Sequence, residues 1–345
     1  MQGFPICVIG GGSIGMRHIE CAVASDVVSL TAVVEADAGR RAELAKIGLP
    51  VAVDLDAVPR ETKAAVIATP TPNHAAVALA CLDRGWAVLV EKPLTETLDD
   101  ADTLCARAAG LGLPLIAGHH RRCHPFVAEA RNRLDQIGEM VAMQGIWALR
   151  KHDSYYDVPW RRAPGAGPIL TNLSHEIDLL HCLAGPIVEV TAMSSNAARG
   201  FAVDDTATLS IRFENGGLGS FVLSDAGASP WAFEAATGEN PAIAVRGDDP
   251  LRFVGTKGAM SFPSLQLWQG GAGAPADWQH PLTHVEGPEL PRVDGIAAQL
   301  DRFAKLAQGG DDDLLATGQD GRQAMLVLAA IQLAAETGQT QKVAK

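Results

Sequence analysis

A chain of 345 residues is longer than one small hydrophobic core needs and fits two domains. Hydrophobic residues make up 47% and charged residues 20%, a globular balance that excludes a disordered chain. Lys and Arg total 28 against 40 Asp and Glu, so the formal net charge of −12 lacks the basic footprint of a nucleic-acid binder. The cysteines (Cys7, Cys21, Cys81, Cys105, Cys123, Cys182) are scattered and never form C-x-x-C. Reduced, buried thiols are expected rather than bridges or a metal site. The start MQGFPICVIGGG carries no basic leader, and its apolar run is too short for a membrane span. A soluble, cytoplasmic protein is the expectation.

Residues 6–9 form a short apolar run that enters Gly10, Gly11, Gly12, Ser13, Ile14 and Gly15. This is G-x-G-x-x-G. Gly10 permits the tight turn, Gly12 admits a pyrophosphate to the backbone, and Gly15 allows close helix–strand packing. A helix opening near Ser13 would aim its N–H groups and positive dipole end at the phosphates. A second strand, 30–34, ends in Glu35, placed to bind the ribose hydroxyls of NAD and repel a 2′-phosphate. Arg40 and Arg41, which open the next helix, keep NADP as the alternative cofactor.

The pattern repeats. A buried strand at 64–68 leads to Thr69, Pro70, Thr71, Pro72, Asn73 and His74, where Asn73 is the expected cap of a helix running to Leu82. His74, in the first turn, reads as structural before catalytic. Residues 87–90 are continuously apolar, too short for a helix and suited to a strand buried on both faces. Glu91 and Lys92 must leave that strand, because Pro93 has no N–H and biases Lys92 towards an extended conformation. A helix at 97–109 and a strand at 115–117 follow. Alternating strands and helices predict a parallel, doubly wound sheet. Its carboxyl edge would carry Gly10, Glu35, Thr69, Lys92 and His119, where such sheets hold ligands.

Beyond His120 the grammar changes. A helix at 126–134 is followed by strands at 140–149, 188–194, 206–213 and 218–224, with loops at 225–250, 270–275 and 287–291. Strands without intervening helices predict a second, mostly antiparallel sheet in an α+β domain. The domains are therefore expected at 1–121 and 122–345. A last helix at 317–335, with the stripe Met325, Leu328, Ile331, would pack back near the first domain. Within Trp160–His181, the run Thr171, Asn172, Leu173, Ser174, His175 opens a helix. His175 would sit in its first turn, where the dipole favours a neutral imidazole able to take a hydroxyl proton. Asp178, three residues on, shares its face and could orient the ring. His152 and His181 read as surface residues.

The motifs GGGSIG, IATPTPNH, VEKP, GHHRRCHP and the H-x-x-D of His175–Asp178 together resemble the Gfo/Idh/MocA oxidoreductases over nearly the whole chain. That family is named for glucose–fructose oxidoreductase, inositol dehydrogenase and a rhizopine catabolism protein. GHHRRCHP, NLSHEID and RGFAVDDTA resemble a quinate-utilisation subgroup of it. The resemblance implies a Rossmann domain followed by an open-sheet domain that makes homodimers or homotetramers. It implies that Lys92, before a cis proline bond, hydrogen-bonds the reacting hydroxyl and the nicotinamide ribose, and that His175 is the acid/base. Residues expected at the cofactor are Gly10, Gly12, Ser13, Ile14, Gly15, Glu35, Thr69, Pro70, Asn73, His74, Glu91, Lys92, Trp160 and Arg161. Asn172, Thr171, Asp178 and Arg122 are expected to support the substrate. Thr171 stands where many members carry an aspartate, and neither it nor Asn172 can hold that negative charge. The expectation is an NAD-linked dehydrogenase acting on a secondary alcohol of a small polyhydroxylated ring: a sugar, an inositol or a quinate-like acid. A non-catalytic NAD-binding regulator and a redox-cycling enzyme with retained NAD are the alternatives.

Overall fold

The computed structural model describes residues 3–240, 242–271 and 273–343. The chain divides into two compact units: residues 1–123 with 294–325, and residues 124–293 with 326–345.

In the first unit the elements are β1 (Phe4–Ile9), α1 (Ser13–Ala24), β2 (Val28–Val34), α2 (Ala38–Lys46), β3 (Val51–Ala52), β4 (Ala64–Ile67), α3 (His74–Leu82), β5 (Ala87–Val90), α4 (Leu98–Leu111) and β6 (Leu115–Ala117). The strands form one parallel sheet in the order β3-β2-β1-β4-β5-β6, a doubly wound Rossmann arrangement. All four residues of both β4 and β5 are buried, as expected of central strands covered on both faces. All the cysteines but Cys182 are buried.

The second unit contains α5 (Pro125–Leu134), β7 (Met140–Ala148), α6 (Pro168–Thr171), α7 (Leu173–Ala184), β8 (Ile187–Ser195), β9 (Thr206–Phe213), β10 (Leu218–Ser224), α8 (Phe233–Thr237), β11 (Leu251–Gly255), β12 (Gly258–Phe262), β13 (Leu267–Gly270) and β14 (Leu282–Val285). Residues 294–325 supply the first unit with α9 (Gly295–Ala307) and the start of α10 (Gly318–Thr337), and the rest of α10 and β15 (Gln341–Lys342) belong to the second. The nine-stranded sheet runs β14-β13-β12-β11-β7-β10-β9-β8-β15 and is antiparallel except where β7 pairs with β10. Strand β9 alternates strictly between buried and accessible positions, so this sheet buries one face.

Two expectations need correction. The single boundary at 121/122 fails because residues 294–325 return to the first unit. There α9 buries Ile296, Leu300 and Phe303 in the core shared with Ile6, Val8 and Leu89. That helix escaped the sequence reading, although Asp294 caps it through its side chain and its apolar residues recur at i, i+4 and i+7. The stretch 225–250, read as loop, contains α8, and strands β11–β14 follow it. Among the described residues, no helix is long and apolar enough to cross a membrane.

Candidate active site

The carboxyl edge of the first sheet holds a cleft of about 860 Å³ lined by Gly10, Gly11, Gly12, Ser13, Ile14, Glu35, Thr69, Pro70 and Asn73 among others. Two glycines are forced by contact. Gly10 has φ +101°, and a Cβ on Gly15 would lie 1.9 Å from the Gly10 carbonyl oxygen. Among the described residues, nothing lies within 4 Å of where a Gly12 Cβ would stand, and no side chain caps the start of α1 there. The first turn of α1 thus presents its N–H groups and positive dipole end at an open surface, the arrangement that takes a phosphate.

Glu35 lines the same cleft, and its carboxylate oxygens accept N–H bonds from Gly11 at 2.8 Å and Asp37 at 2.9 Å. The charge therefore braces the glycine loop while facing the cleft. Arg40 and Arg41 fold back onto backbone: Arg40 donates to the Gly11 carbonyl at 2.8 Å and Arg41 to those of Glu35 and Ala36 at 2.7 and 3.0 Å. Thr69 contributes a buried hydroxyl oxygen without a hydrogen-bond partner among the described residues. A buried unpaired hydroxyl is costly unless something else supplies its partner. Open loop, carboxylate and orphaned hydroxyl together fit a dinucleotide.

Asn73 lines the cleft but does not cap α3 with its side chain, because the 3₁₀ turn Thr71–Asn73 runs straight into the helix. His74, expected at the cofactor, is buried instead. Its ring nitrogens lie 2.9 Å from the Pro93 and Thr69 carbonyl oxygens, so it braces the turn carrying Lys92 against the end of β4. Lys92 is half-buried, and the Lys92–Pro93 bond is cis. Glu91, also expected at the cofactor, does not line the cleft and is buried against His18. Arg122, expected near substrate, is buried in the first unit, where it donates to Asp320 at 3.2 Å. Its position within GHHRRCHP could not reveal that partner, 198 residues away.

In the second unit, α6 passes into α7 almost without a break, and His175 occupies the first turn of α7, half-buried, with Asp178 buried one turn on. The Thr171 hydroxyl donates to the Gly167 carbonyl and lies 2.9 Å from Asn172 Oδ1. The same Asn172 oxygen accepts a 2.9 Å bond from Lys151 Nζ, which also pairs with Asp225 at 3.3 Å. Asp225 accepts from the Tyr156 hydroxyl and faces the Arg199 guanidinium at 3.5 Å. Burial lowers the Lys151 pKa, and Asp225 works against that fall. Arg161 donates to the Tyr155 carbonyl at 2.8 Å and stacks 3.9 Å from the Tyr155 ring, while the neighbouring Trp160 is exposed. His181 is half-buried. Lys151, Asp225, Tyr156 and Arg199 are the residues that sequence reasoning missed as a group.

Residues 4–119 match the family model described as an oxidoreductase family with an NAD-binding Rossmann fold, and residues 127–261 match the GFO/IDH/MocA C-terminal domain. The chain is 29% identical to the 4-carboxy-2-hydroxymuconate-6-semialdehyde dehydrogenase of a Sphingobium species, over 63% of this chain and 74% of that protein. It is 28% identical to inositol 2-dehydrogenase 2 of Paenarthrobacter aurescens, over 97% of both. A levoglucosan dehydrogenase solved with NADH and levoglucosan shares the fold, with TM-score 0.78 at 21% identity over 99% of this chain and 100% of the other.

Proposed function

We propose, on the premise that this chain belongs to the Gfo/Idh/MocA family of NAD-dependent oxidoreductases, that it interconverts a secondary alcohol and a ketone on a polyhydroxylated ring. NAD, when bound, supplies the hydride acceptor or donor. The observation that carries the reading is Lys92. It leaves the buried strand β5 at the sheet edge that also presents the glycine loop and Thr69, with its turn held by His74. Its ammonium anchors the reacting oxygen and stabilises alkoxide charge as the C–H bond breaks. His175 takes the hydroxyl proton in the oxidising direction and returns it in the other. Asp178 orients the imidazole. Thr171 and Asn172 hydrogen-bond substrate hydroxyls, and Trp160 and Arg161 support the cofactor.

Among these rings, a cyclic hydroxy acid is the substrate class best supported. Where many members carry an aspartate this chain has Thr171, and the adjoining Asn172 is held by the cation Lys151. A carboxylate is better tolerated once that negative charge is gone, and the Sphingobium relative is named for a carboxylated substrate. NADH absorbance recorded across sugars, inositols and quinate-like acids, each with NAD and NADP, tests both parts. The acids should give the highest kcat/KM, with NAD preferred. Better turnover of neutral polyols would overturn the class. Lys92→Ala should lower kcat about 10²–10³-fold, the cost of losing one donor to a developing oxyanion, while NADH still binds. Near-normal turnover in that variant would overturn the role of the lysine.

A further inference from the structure

A buried charge stands directly before Lys92. Glu91 is 6% exposed, and His18, which it meets, is 0% exposed. His18 Nε2 lies 2.8 Å from Glu91 Oε1, and Glu91 Oε2 accepts the Lys92 backbone N–H at 3.1 Å. Burial alone would raise the Glu91 pKa; the hydrogen bond from His18, with His120 and Lys92 nearby, outweighs it and holds the pKa at about 2. An ionised carboxylate only accepts, so His18 is the donor. Its other ring nitrogen is buried with no hydrogen-bond partner among the described residues, which leaves Glu91 as the polar contact of the ring. Gly118 closes the pocket: a Cβ there would come within 3.1 Å of the Glu91 carboxyl carbon.

A pair of this kind is a poor choice for stability alone, because desolvating the groups costs about as much as their attraction returns, and apolar residues of similar volume often serve better. Its placement suggests another use. His18 belongs to α1, the helix that opens at the glycine loop, and Glu91 is bonded to the backbone of the residue that carries the ammonium. We propose that His18 and Glu91 are positioning residues for Lys92. Glu91 fixes the backbone of the lysine turn from the protein interior and sets a negative charge near the ammonium. His18 holds that carboxylate from the helix that binds the dinucleotide phosphates. One buried pair thus braces the cofactor loop and the oxygen-anchoring lysine together. This rests on the reading of Lys92 given above.

The test uses the full chain, with steady-state kinetics, NADH fluorescence titration and thermal melts. Glu91→Gln keeps an oxygen for the Lys92 N–H and loses the charge. It should lower kcat about 10–100-fold and leave NADH affinity within about threefold. Because Glu91 acts through Lys92, Glu91→Gln should cost nothing further on the Lys92→Ala background. An equal fall on both backgrounds, or an unchanged kcat, overturns the proposal. His18→Gln, which can still donate, should keep kcat within about fivefold, and His18→Leu should lose about 10–100-fold. Equal losses in that pair also overturn it, and the pair decides the matter should Glu91→Gln fail to fold. Near-normal turnover of Lys92→Ala instead overturns the role of the lysine and this proposal with it. Additive losses with an essential Lys92 overturn this proposal alone.

Discussion

Thr69 concentrates the chemistry of the first unit into one atom. Its hydroxyl oxygen is buried at the cleft without a partner among the described residues, a state that costs stability until a ligand supplies a bond. Thr69→Val keeps the shape and removes the hydroxyl. NADH should then dissociate about 3–10 times more readily, by fluorescence titration, while the melting temperature without cofactor holds or rises. A lower melting temperature with unchanged affinity would contradict this. Glu35 has two tasks, holding the glycine loop through Gly11 and facing the cleft. Glu35→Ala should weaken NADH binding and cut the NAD over NADP preference in kcat/KM by about tenfold, since no carboxylate remains to repel a 2′-phosphate. At His175 the expected signature is kinetic. The wild-type chain should lose kcat/KM for alcohol oxidation as the pH falls, and His175→Ala should lose that acid limb; an unchanged profile in the variant would remove His175 as the base.

At the scale of the element, helix starts carry much of the local design, and α5 shows how a cap becomes pH-sensitive. His124 caps it by accepting from the Phe126 N–H through Nδ1 at 3.4 Å, and it stacks on the Phe126 ring. Burial lowers its pKa to about 4, and Glu239 only partly opposes that fall. A folded-state pKa below the ordinary 6.5 means that stability is fully present above pH 6.5 and is lost as the pH falls through about 4. His124→Asn, an acceptor that does not titrate, should flatten that decline. Thermal melts of the two proteins should diverge by roughly 5 °C between these limits. Parallel curves would show that His124 is not the group responsible. Elements with strong local signals were legible in the same way. The spans of β6, β9 and β10 agree with their apolar and alternating runs, and Asn73 takes the N-cap position of α3, though without a side-chain bond because a 3₁₀ turn had already begun before it.

For the whole molecule the consequence lies in how the chain returns. The first unit takes residues 294–325 from far along the sequence, and Leu300, Phe303, Ala304 and Leu315 fill one of its cores. A polypeptide of residues 1–121 alone should therefore not bind NADH and should aggregate through the exposed core face. Residues 1–123 joined by a flexible linker to 294–325 should fold and bind it. Fluorescence titration separates the two outcomes, and NADH binding by the shorter chain would show the returning segment to be dispensable.

The sequence by itself determined what depends on neighbours in the chain: the Rossmann alternation, the glycine loop, the emergence of Lys92 from a buried strand, and His175 in the first turn of a helix. Each follows from steric or dipolar rules acting over a few residues. Only the tertiary structure decided what depends on partners far away. It joined Glu91 to His18 across 73 residues and Arg122 to Asp320 across 198. It set Lys151 on Asn172, and it returned α9 to the first core. A buried charge takes whichever partner the fold brings within about 3 Å, and no local pattern of residue types encodes that choice.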